Sequence, residues 1–371
     1  MQTKRKKPRS SRRRRNARRV AWRVTLSVLT AIVLVLVGAL CAGYAAFKGP
    51  SQTVGDLLTV SMLETSALKF VPRIYYSQAE VDAVVARNSV AEDDSETDTS
   101  LITIVKPTPV PSEAPAEADD GRQQAVEVTP SPTPAPENLI SSEDGIEVYE
   151  VKGGTYRGYM MVVLDPARVT VGTCRDTFTR EKGLQLKDIA ARYDAVAAIN
   201  GGGFQDHGGV GNGGTPIGVV ISEGEIKHTG SGGNYNVTVG FNRDNIMIVC
   251  KSDEGEAKKK GLRDAITFGP ALVVNGEAAE VTGTSSGLNP RTAIGQRADG
   301  AVLMLVIDGR QASSLGATYS DLISVMLSYG AINAINMDGG SSSLMYYKGE
   351  YLNSGVSLTG SRNMPTAFIV R

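Results

Sequence analysis

A run of 24 almost wholly apolar residues, Val24–Phe47, divides the chain into two parts of very different character. The run is long enough to cross a bilayer, which takes about 20 residues in a helix. A cleaved signal peptide usually has a shorter apolar core of about 7–15 residues, although the small residues around Ala42 and Ala46 leave cleavage open. We therefore expect a single uncleaved transmembrane helix over residues 24–47.

The residues before this run form a strongly basic tail. Residues 1–23 hold twelve Lys and Arg residues and no acid, which leaves 27 basic against 39 acidic residues in the remainder. A basic flank next to an apolar run keeps that flank in the cytoplasm, and we favour this reading over nucleic-acid binding. The sequence thus predicts a single-pass membrane protein whose C-terminal part is extracytoplasmic, with no nucleic-acid partner.

The part after the membrane run falls into three predicted segments. Residues 48–90 have an apolar pattern typical of a helical stalk or cap, which could also self-associate. Residues 91–145 are first acidic and then rich in proline, a composition that cannot bury a core and predicts a disordered linker. Residues 146–371 alternate short apolar runs with Gly, Asn and Asp turns, as expected of one compact domain.

The C-terminal domain is predicted to belong to the α+β class, with mixed β-sheets and a few helices. Helices are expected at residues 186–193 and 319–328. Strands are expected at residues 159–164, 195–199, 218–222, 237–241, 246–250, 271–274, 292–296, 301–307, 334–337 and 364–370. Cys174 and Cys250 suit one disulfide or two separate thiols, and no Cys or His spacing is typical of a metal site.

Three predicted strands end in the same way. Each passes a polar side chain to a glycine turn: Asn200 before Gly201 and Gly202, Asp308 before Gly309, and Asp338 before Gly339. If the three strands are parallel neighbours, these side chains meet at one edge of a sheet, where ligands commonly bind in open α/β sheets. The alternative is three ordinary turns, since Asp-Gly is a common turn dipeptide.

Two further stretches suit a polar, anionic ligand. Arg291 follows the rigid Asn289-Pro290 turn and offers a planar fork that matches phosphate or carboxylate oxygens. Residues 208–216 form a glycine-rich loop, either a substrate lid or a long connection. The loop has no P-loop lysine and no Rossmann fingerprint, so nucleotide binding is unsupported.

These stretches resemble the phosphodiester glycosidase family. The matching segments are residues 198–204, 216–222, 289–295, 306–310 and 331–343, together with Arg362 and the final strand. The resemblance covers residues 146–371 and implies hydrolysis of the glycosidic bond in a sugar-1-phosphate diester. Two departures from the family pattern are the additional Gly203 before Phe204 and Ser341, where the family has a third glycine.

Such a reaction passes through an oxocarbenium-like state, and its phosphate leaves with little need of a proton. It therefore requires a carboxylate near the anomeric carbon and cationic or N–H donors on the phosphate. We predict Asp338 as the catalytic carboxylate and Asp308 as its partner. The predicted substrate-binding residues are Asn200, Gly201, Gly202, Arg291, Arg310, Gly339, Gly340, Ser341 and Ser342.

The need for a cofactor is left open by the sequence. A divalent cation such as calcium or magnesium, held by oxygens of Asp308 and Asp338, is one possibility. His207 is another acid–base candidate, although a solvated loop histidine is the reading that we favour.

The sequence therefore predicts a membrane-anchored extracytoplasmic hydrolase that acts on a glycan or sugar-phosphate substrate in cell-wall or surface polysaccharide metabolism. Three alternatives stay open: a non-catalytic glycopolymer-binding module, a transferase of exopolysaccharide assembly, and a structural ectodomain. Neither the sugar, nor the group that carries the phosphate, nor the oligomeric state follows from the sequence.

Overall fold

A computed structural model of the chain describes residues 10–65, 67–91, 95–104, 138–205, 212–233, 235–251, 253–355 and 362–371. Within these ranges, helix α1 (Ser10–Lys48) alone is long and apolar enough to cross a membrane. Three short helices follow it: α2 (Gln52–Leu63), α3 (Pro72–Tyr75) and α4 (Gln78–Ala86). His207, the start of the glycine-rich loop and residues 105–137 of the predicted linker lie outside the described residues.

The remaining elements form the C-terminal domain. Its helices are α5 (Leu186–Arg192), α6 (Glu254–Lys259) and α7 (Tyr319–Ser328). Its strands are β1 (Leu139–Glu143), β2 (Ile146–Lys152), β3 (Arg157–Val163), β4 (Val169–Thr173), β5 (Ala197–Asn200), β6 (Val220–Ser222), β7 (Glu225–His228), β8 (Val237–Asn242), β9 (Met247–Lys251), β10 (Leu262–Phe268), β11 (Ala271–Val274), β12 (Glu277–Ala278), β13 (Arg291–Arg297), β14 (Val302–Ile307), β15 (Ala331–Met337), β16 (Met345–Tyr347), β17 (Glu350–Tyr351) and β18 (Thr366–Val370).

The strands form three sheets in which neighbouring strands are antiparallel. The largest has the order β1-β2-β3-β14-β13-β15-β11-β12, and the two smaller ones have the orders β7-β6-β10-β8-β9 and β17-β16-β5-β18-β4. This arrangement confirms the predicted α+β class with several sheets and few helices. The condition that the three strands ending in Asn200, Asp308 and Asp338 are parallel neighbours is not met, because β13 lies between β14 and β15 and β5 belongs to another sheet.

One apolar core joins the three sheets. Met304 and Ile335 of the large sheet, Phe241 of the second and Phe368 of the third are all fully buried there. The outer face of each sheet is covered by a helix: α7 through Leu322, α5 through Ile189, and α6 through Ala257. The central strands, such as β14 and β18, can therefore be apolar on both faces, which explains why they read as continuous apolar runs.

The segment after α1 packs against the C-terminal domain. The Ser61 hydroxyl accepts a hydrogen bond from the Leu288 N–H at 2.9 Å, and the Ala91 N–H donates to the Glu280 carbonyl at 2.8 Å. Thr103 N–H donates to the Ala298 carbonyl at 2.8 Å. The described residues between 51 and 103 thus lie along the domain, including residues 95–103 of the predicted linker. The predicted boundaries between stalk, linker and domain stay a prediction.

All ten predicted strands and both predicted helices are present, with their ends shifted by at most three residues. The strands that sequence patterns missed are β1, β2, β4, β7, β10, β12, β16 and β17. Several of these are edge strands or two-residue pairs, whose residues carry little apolar periodicity. Cys174 and Cys250 are free thiols in different apolar clusters, in agreement with the two-thiol alternative.

We predict that the contact between sheets limits stability. Phe368 lies edge-on to Phe241 with ring centroids 6.4 Å apart, and both are fully buried. Phe368→Ala should lower the free energy of unfolding by about 3–5 kcal/mol, because it removes apolar burial and leaves a cavity. Denaturant unfolding measures this loss, and Leu315→Ala, at a side chain that is 54% exposed, is the control that should change little. A loss below about 1 kcal/mol for Phe368→Ala would contradict the packing described.

Candidate functional site

Strand β13 brings the predicted site residues to one edge of the large sheet. It lies between β14 and β15 and is antiparallel to both, so β14 and β15 run in the same direction. Arg291 at the start of β13 pairs with Ile307 at the end of β14, and Thr292 pairs with Met337 at the end of β15. Asp308 and Asp338 therefore follow neighbouring strand ends beside Arg291, although the sheet is antiparallel.

The third strand end reaches this edge from another sheet. Asn200 ends β5 and is almost fully buried. Its amide nitrogen donates to the Asp338 carbonyl at 2.5 Å, and its amide oxygen accepts from the Thr292 hydroxyl at 2.7 Å and from the Leu344 N–H at 3.2 Å. In addition, the Asp338 N–H donates to the Gly201 carbonyl at 3.2 Å. These bonds fix the backbone of Asp338 between two sheets.

A cavity of about 250 Å³ opens above this edge. We call it the arginine pocket, because three arginines take part in its walls. It is lined by Glu64, Tyr235, Phe268, Arg291, Arg310, Tyr319, Asn336, Asp338, Gly339, Gly340, Ser341 and Arg362. The predicted residues Arg291, Arg310, Asp338, Gly339, Gly340 and Ser341 thus share one pocket.

Arg291 forms the rear wall and is held by several partners. Its Nη1 lies 3.0 Å from Glu64 Oε2, its Nη2 donates to the Ser286 carbonyl at 3.0 Å, and its guanidinium lies 4.2 Å from the centre of the Tyr319 ring. Burial by itself would lower the pKa of Arg291, but the charge and hydrogen bond of Glu64 raise it overall. Glu64 therefore balances the charge of this arginine.

Arg310 is a cation with incomplete compensation. Its Nη2 donates to Asn289 Oδ1 at 2.9 Å and to the Glu64 carbonyl at 3.3 Å, while its buried Nε has no hydrogen-bond partner. Burial lowers the pKa of Arg310, yet a guanidinium stays protonated. Its φ of +55° is rare for a residue with a side chain. A strained, buried cation with an unused donor is typical of an anion-binding site.

Arg362, Ser341 and Asn336 also line the pocket. Arg362 lies over the Phe204 ring at 4.7 Å, and its Nη1 is 3.5 Å from the Ser341 hydroxyl. Asn336 donates to the Gly269 carbonyl at 2.8 Å, and its buried Oδ1 has no partner. Ser341, the departure from the family pattern, is accommodated and adds its hydroxyl to the pocket. Gly340 has a φ of +63°, which favours glycine at this turn.

Other predicted residues lie below or beside the pocket. Asp308 accepts a hydrogen bond from Asn353 Nδ2 at 2.9 Å, and burial raises its pKa in spite of this bond. Ser342 is buried with an unpartnered hydroxyl. Gly201 and Gly202 have no room for a side chain, since a Cβ would lie 2.6 Å from Thr366 Oγ1 and 2.3 Å from Ile266 Cγ2 respectively. The roles of these residues stay predictions.

No group of three or more His, Cys, Asp or Glu that could hold a metal ion occurs among the residues that the structure describes. Calcium takes 6–8 oxygen ligands in proteins, and magnesium takes an octahedral set of oxygens. The geometry therefore adds no support to the divalent cation, which stays one possibility.

Six residues of the pocket escaped prediction as site residues: Glu64, Tyr235, Phe268, Tyr319, Asn336 and Arg362. Asn336 had a signal, because an amide inside an apolar strand requires a polar partner. Arg362 was part of the family resemblance but had no assigned role. Glu64 and the aromatic residues come from distant segments, and no local pattern marks them.

The C-terminal half of the chain matches known proteins. Residues 193–371 match the family model described as phosphodiester glycosidase. The SPbeta prophage-derived uncharacterized protein YomE of Bacillus subtilis (strain 168) is 34% identical over 201 residues, which are 52% of this chain and 29% of YomE. Human N-acetylglucosamine-1-phosphodiester alpha-N-acetylglucosaminidase is 28% identical over 182 residues, 44% of this chain and 34% of that enzyme. The chain thus spans about a third of the length of these relatives.

The fold has a counterpart among solved structures. The zebrafish N-acetylglucosamine-1-phosphodiester alpha-N-acetylglucosaminidase catalytic domain, in a form auto-inhibited by its pro-peptide, superposes with a TM-score of 0.51 at 22% identity. The match covers 65% of this chain and 86% of that one. This match shows that the C-terminal domain has the fold of that catalytic domain. Residues 193–371 are the part of the chain that matches the phosphodiester glycosidase family model.

Proposed function

We propose that the protein hydrolyses the glycosidic bond of a sugar-1-phosphate diester. The observation that carries the proposal is that Asp338 shares one pocket with Arg291, Arg310 and Arg362. A sugar-1-phosphate diester presents an anomeric carbon next to an anion, and this pocket offers a carboxylate next to cations. The unpartnered buried atoms Arg310 Nε and Asn336 Oδ1 favour a polar ligand that hydrogen-bonds to them.

In the proposed reaction, Arg310 and Arg362 bind the phosphate while Arg291 is balanced by Glu64. The bond between the anomeric carbon and the phosphate oxygen breaks, and its electron pair leaves with the phosphate. Asp338 stabilises the developing positive charge, as nucleophile or as base for water. Water supplies the new hydroxyl of the sugar, and its second proton is released to solvent. The product is a phosphate monoester, whose charge the arginines stabilise.

The cellular setting is part of the same proposal. Helix α1 anchors the protein in the membrane, with the basic tail in the cytoplasm. The C-terminal domain then lies outside, where phosphodiester-linked cell-wall or surface polysaccharides occur. A non-catalytic binding module would use the same pocket without turnover, and a transferase would replace water with an acceptor sugar.

The catalytic role proposed for Asp338 can be tested by measuring turnover. The α-anomeric methyl phosphodiester of N-acetylglucosamine, chosen from the human relative's name, serves as probe, and released sugar is measured. Asp338→Asn should lower kcat roughly 10²–10⁴-fold, because it removes the charge that stabilises the transition state. Asp188→Asn, on the exposed side of α5, is the matched control and should leave kcat unchanged. Equal activity of Asp338→Asn and wild type would contradict the assigned role, whereas binding without release of sugar would favour the binding module.

The charge balance at Arg291 gives a second prediction. Glu64→Gln keeps the shape of the side chain but removes the negative charge 3.0 Å from Arg291. The pocket becomes more positive, so KM for the phosphodiester should fall about tenfold at low salt, an effect of about 1.4 kcal/mol. The shift should shrink at high salt. The control is Glu80→Gln on α4, which removes the charge partner of Lys48 outside the pocket and should leave KM unchanged. A higher or unchanged KM in Glu64→Gln would contradict this electrostatic account.

The buried carboxyl of Asp308 gives a third prediction, on stability. Because burial raises the pKa of Asp308 in the folded protein, its folded form holds a proton more readily than its unfolded form. The contribution of Asp308 to folding stability is therefore complete below its unfolded-state pKa of about 3.9. This contribution is lost as pH rises through the pKa of the folded state. Asp308→Asn should gain stability relative to wild type between pH 4 and pH 7, measured by denaturant unfolding. If the stability advantage of Asp308→Asn over wild type shrank as pH rises, the stated direction of the pKa shift of Asp308 would be contradicted.

A further inference from the structure

A second cavity adjoins the arginine pocket and has no role in the proposed reaction. Its volume is about 350 Å³, within the range of small-molecule sites. Its walls are mostly apolar and include Val85, Val90, Val237, Pro270 and Ala271. We call it the apolar cavity.

The two cavities adjoin at three aromatic side chains. Tyr235, Phe268 and Tyr319 line both of them. The rings of Tyr235 and Phe268 are stacked, with centroids 4.1 Å apart, and form a shared wall. A ligand that extends across these rings would therefore meet a cationic surface at one end and an apolar surface at the other. Such a site matches a molecule with an anionic head and an apolar tail.

One wall of the apolar cavity belongs to the segment that follows the membrane helix. Val85 lies on α4, and Val90 pairs with Val281 of the domain in an isolated β-bridge. The segment also contacts the end of α1, where Phe47 stacks on Tyr75 at 4.9 Å. Three residues join α1 to α2, and α2 is only about 18 Å long. Both cavities consequently lie close to the outer end of the membrane helix.

We propose that the apolar cavity binds the alcohol part of the substrate and that this alcohol is a long-chain membrane lipid alcohol. The inference rests on the proposed function and names its substrate class, a glycosyl phosphoryl lipid. The phosphate lies in the arginine pocket, and the first carbons of the lipid chain pass Tyr235 and Phe268 into the apolar cavity. Hydrolysis breaks the bond between the anomeric carbon and oxygen, water adds to the sugar, and the lipid leaves as its phosphate monoester.

Binding of the lipid product is the direct test. Geranyl phosphate and methyl phosphate carry the same anion and differ in the apolar chain. The full chain in phosphatidylcholine nanodiscs should bind geranyl phosphate at least tenfold more tightly than methyl phosphate by calorimetry, after subtraction of empty nanodiscs. Equal affinities, or binding of neither ligand, would overturn the inference.

Two variants on one exposed helix locate the effect. Val85→Glu places a charge in the apolar cavity, at a side chain that is already 46% exposed and so tolerates a polar replacement. It should reduce the preference for geranyl phosphate to less than threefold and leave the affinity for methyl phosphate unchanged. Ala83→Glu adds the same charge to α4 at an exposed position outside the cavity and should keep the preference. Identical behaviour of the two variants would overturn the assignment.

Hydrolysis separates this inference from the proposed function. The methyl and geranyl esters of N-acetylglucosamine-1-phosphate are compared with the same full chain. We expect a kcat/KM at least tenfold higher for the geranyl ester. If neither ester is hydrolysed while geranyl phosphate still binds more tightly, the proposed function fails and the lipid site stands. If both are hydrolysed at the same kcat/KM, the lipid inference fails and the proposed function stands.

Discussion

The buried side chain of Asn200 joins the parts of the molecule that form the site. Its amide contacts the Asp338 carbonyl, the Thr292 hydroxyl and the Leu344 N–H, which lie in or directly beside strands of two different sheets. Loss of any one of these hydrogen bonds would leave an unpaired polar group in the core, which costs about 1–3 kcal/mol of folding free energy. The position of Asp338 therefore depends on the packing of the third sheet against the large one. The same core that stabilises the fold fixes the carboxylate.

The positive charges around the pocket are only partly compensated by negative side chains, so the pocket keeps a positive potential that can bind an anionic ligand. Glu64 balances Arg291, whose guanidinium is otherwise held by backbone carbonyls and the Tyr319 ring. Arg310 keeps a buried donor without a partner. Because Glu64 comes from the segment that follows α1, the electrostatics of the pocket depend on how that segment packs. The proposed lipid site lies at the same junction, so one contact region influences both the anion and the tail of the substrate.

The sequence predicts the strand ends of this site better than their arrangement. Asn200, Asp308 and Asp338 could be identified because each follows an apolar run and precedes a glycine turn, a local pattern. The antiparallel order of β14, β13 and β15 could not, because strand direction depends on how the connections return the chain. Glu64 and Arg291 are 227 positions apart, and their contact is purely tertiary. Asn336 is a different case, because a polar side chain within an apolar strand is a local pattern that can be recognised in the sequence.

The proposed hydrolysis breaks the carbon–oxygen bond of the sugar and leaves the phosphorus–oxygen bond intact. Hydrolysis of a sugar-1-phosphodiester in water enriched in oxygen-18, followed by mass spectrometry of both products, decides this directly. Cleavage at the anomeric carbon should place the label in the anomeric hydroxyl of the released sugar and none in the phosphate monoester. Label in the phosphate would show attack at phosphorus and would contradict the roles given to Asp338 and the three arginines.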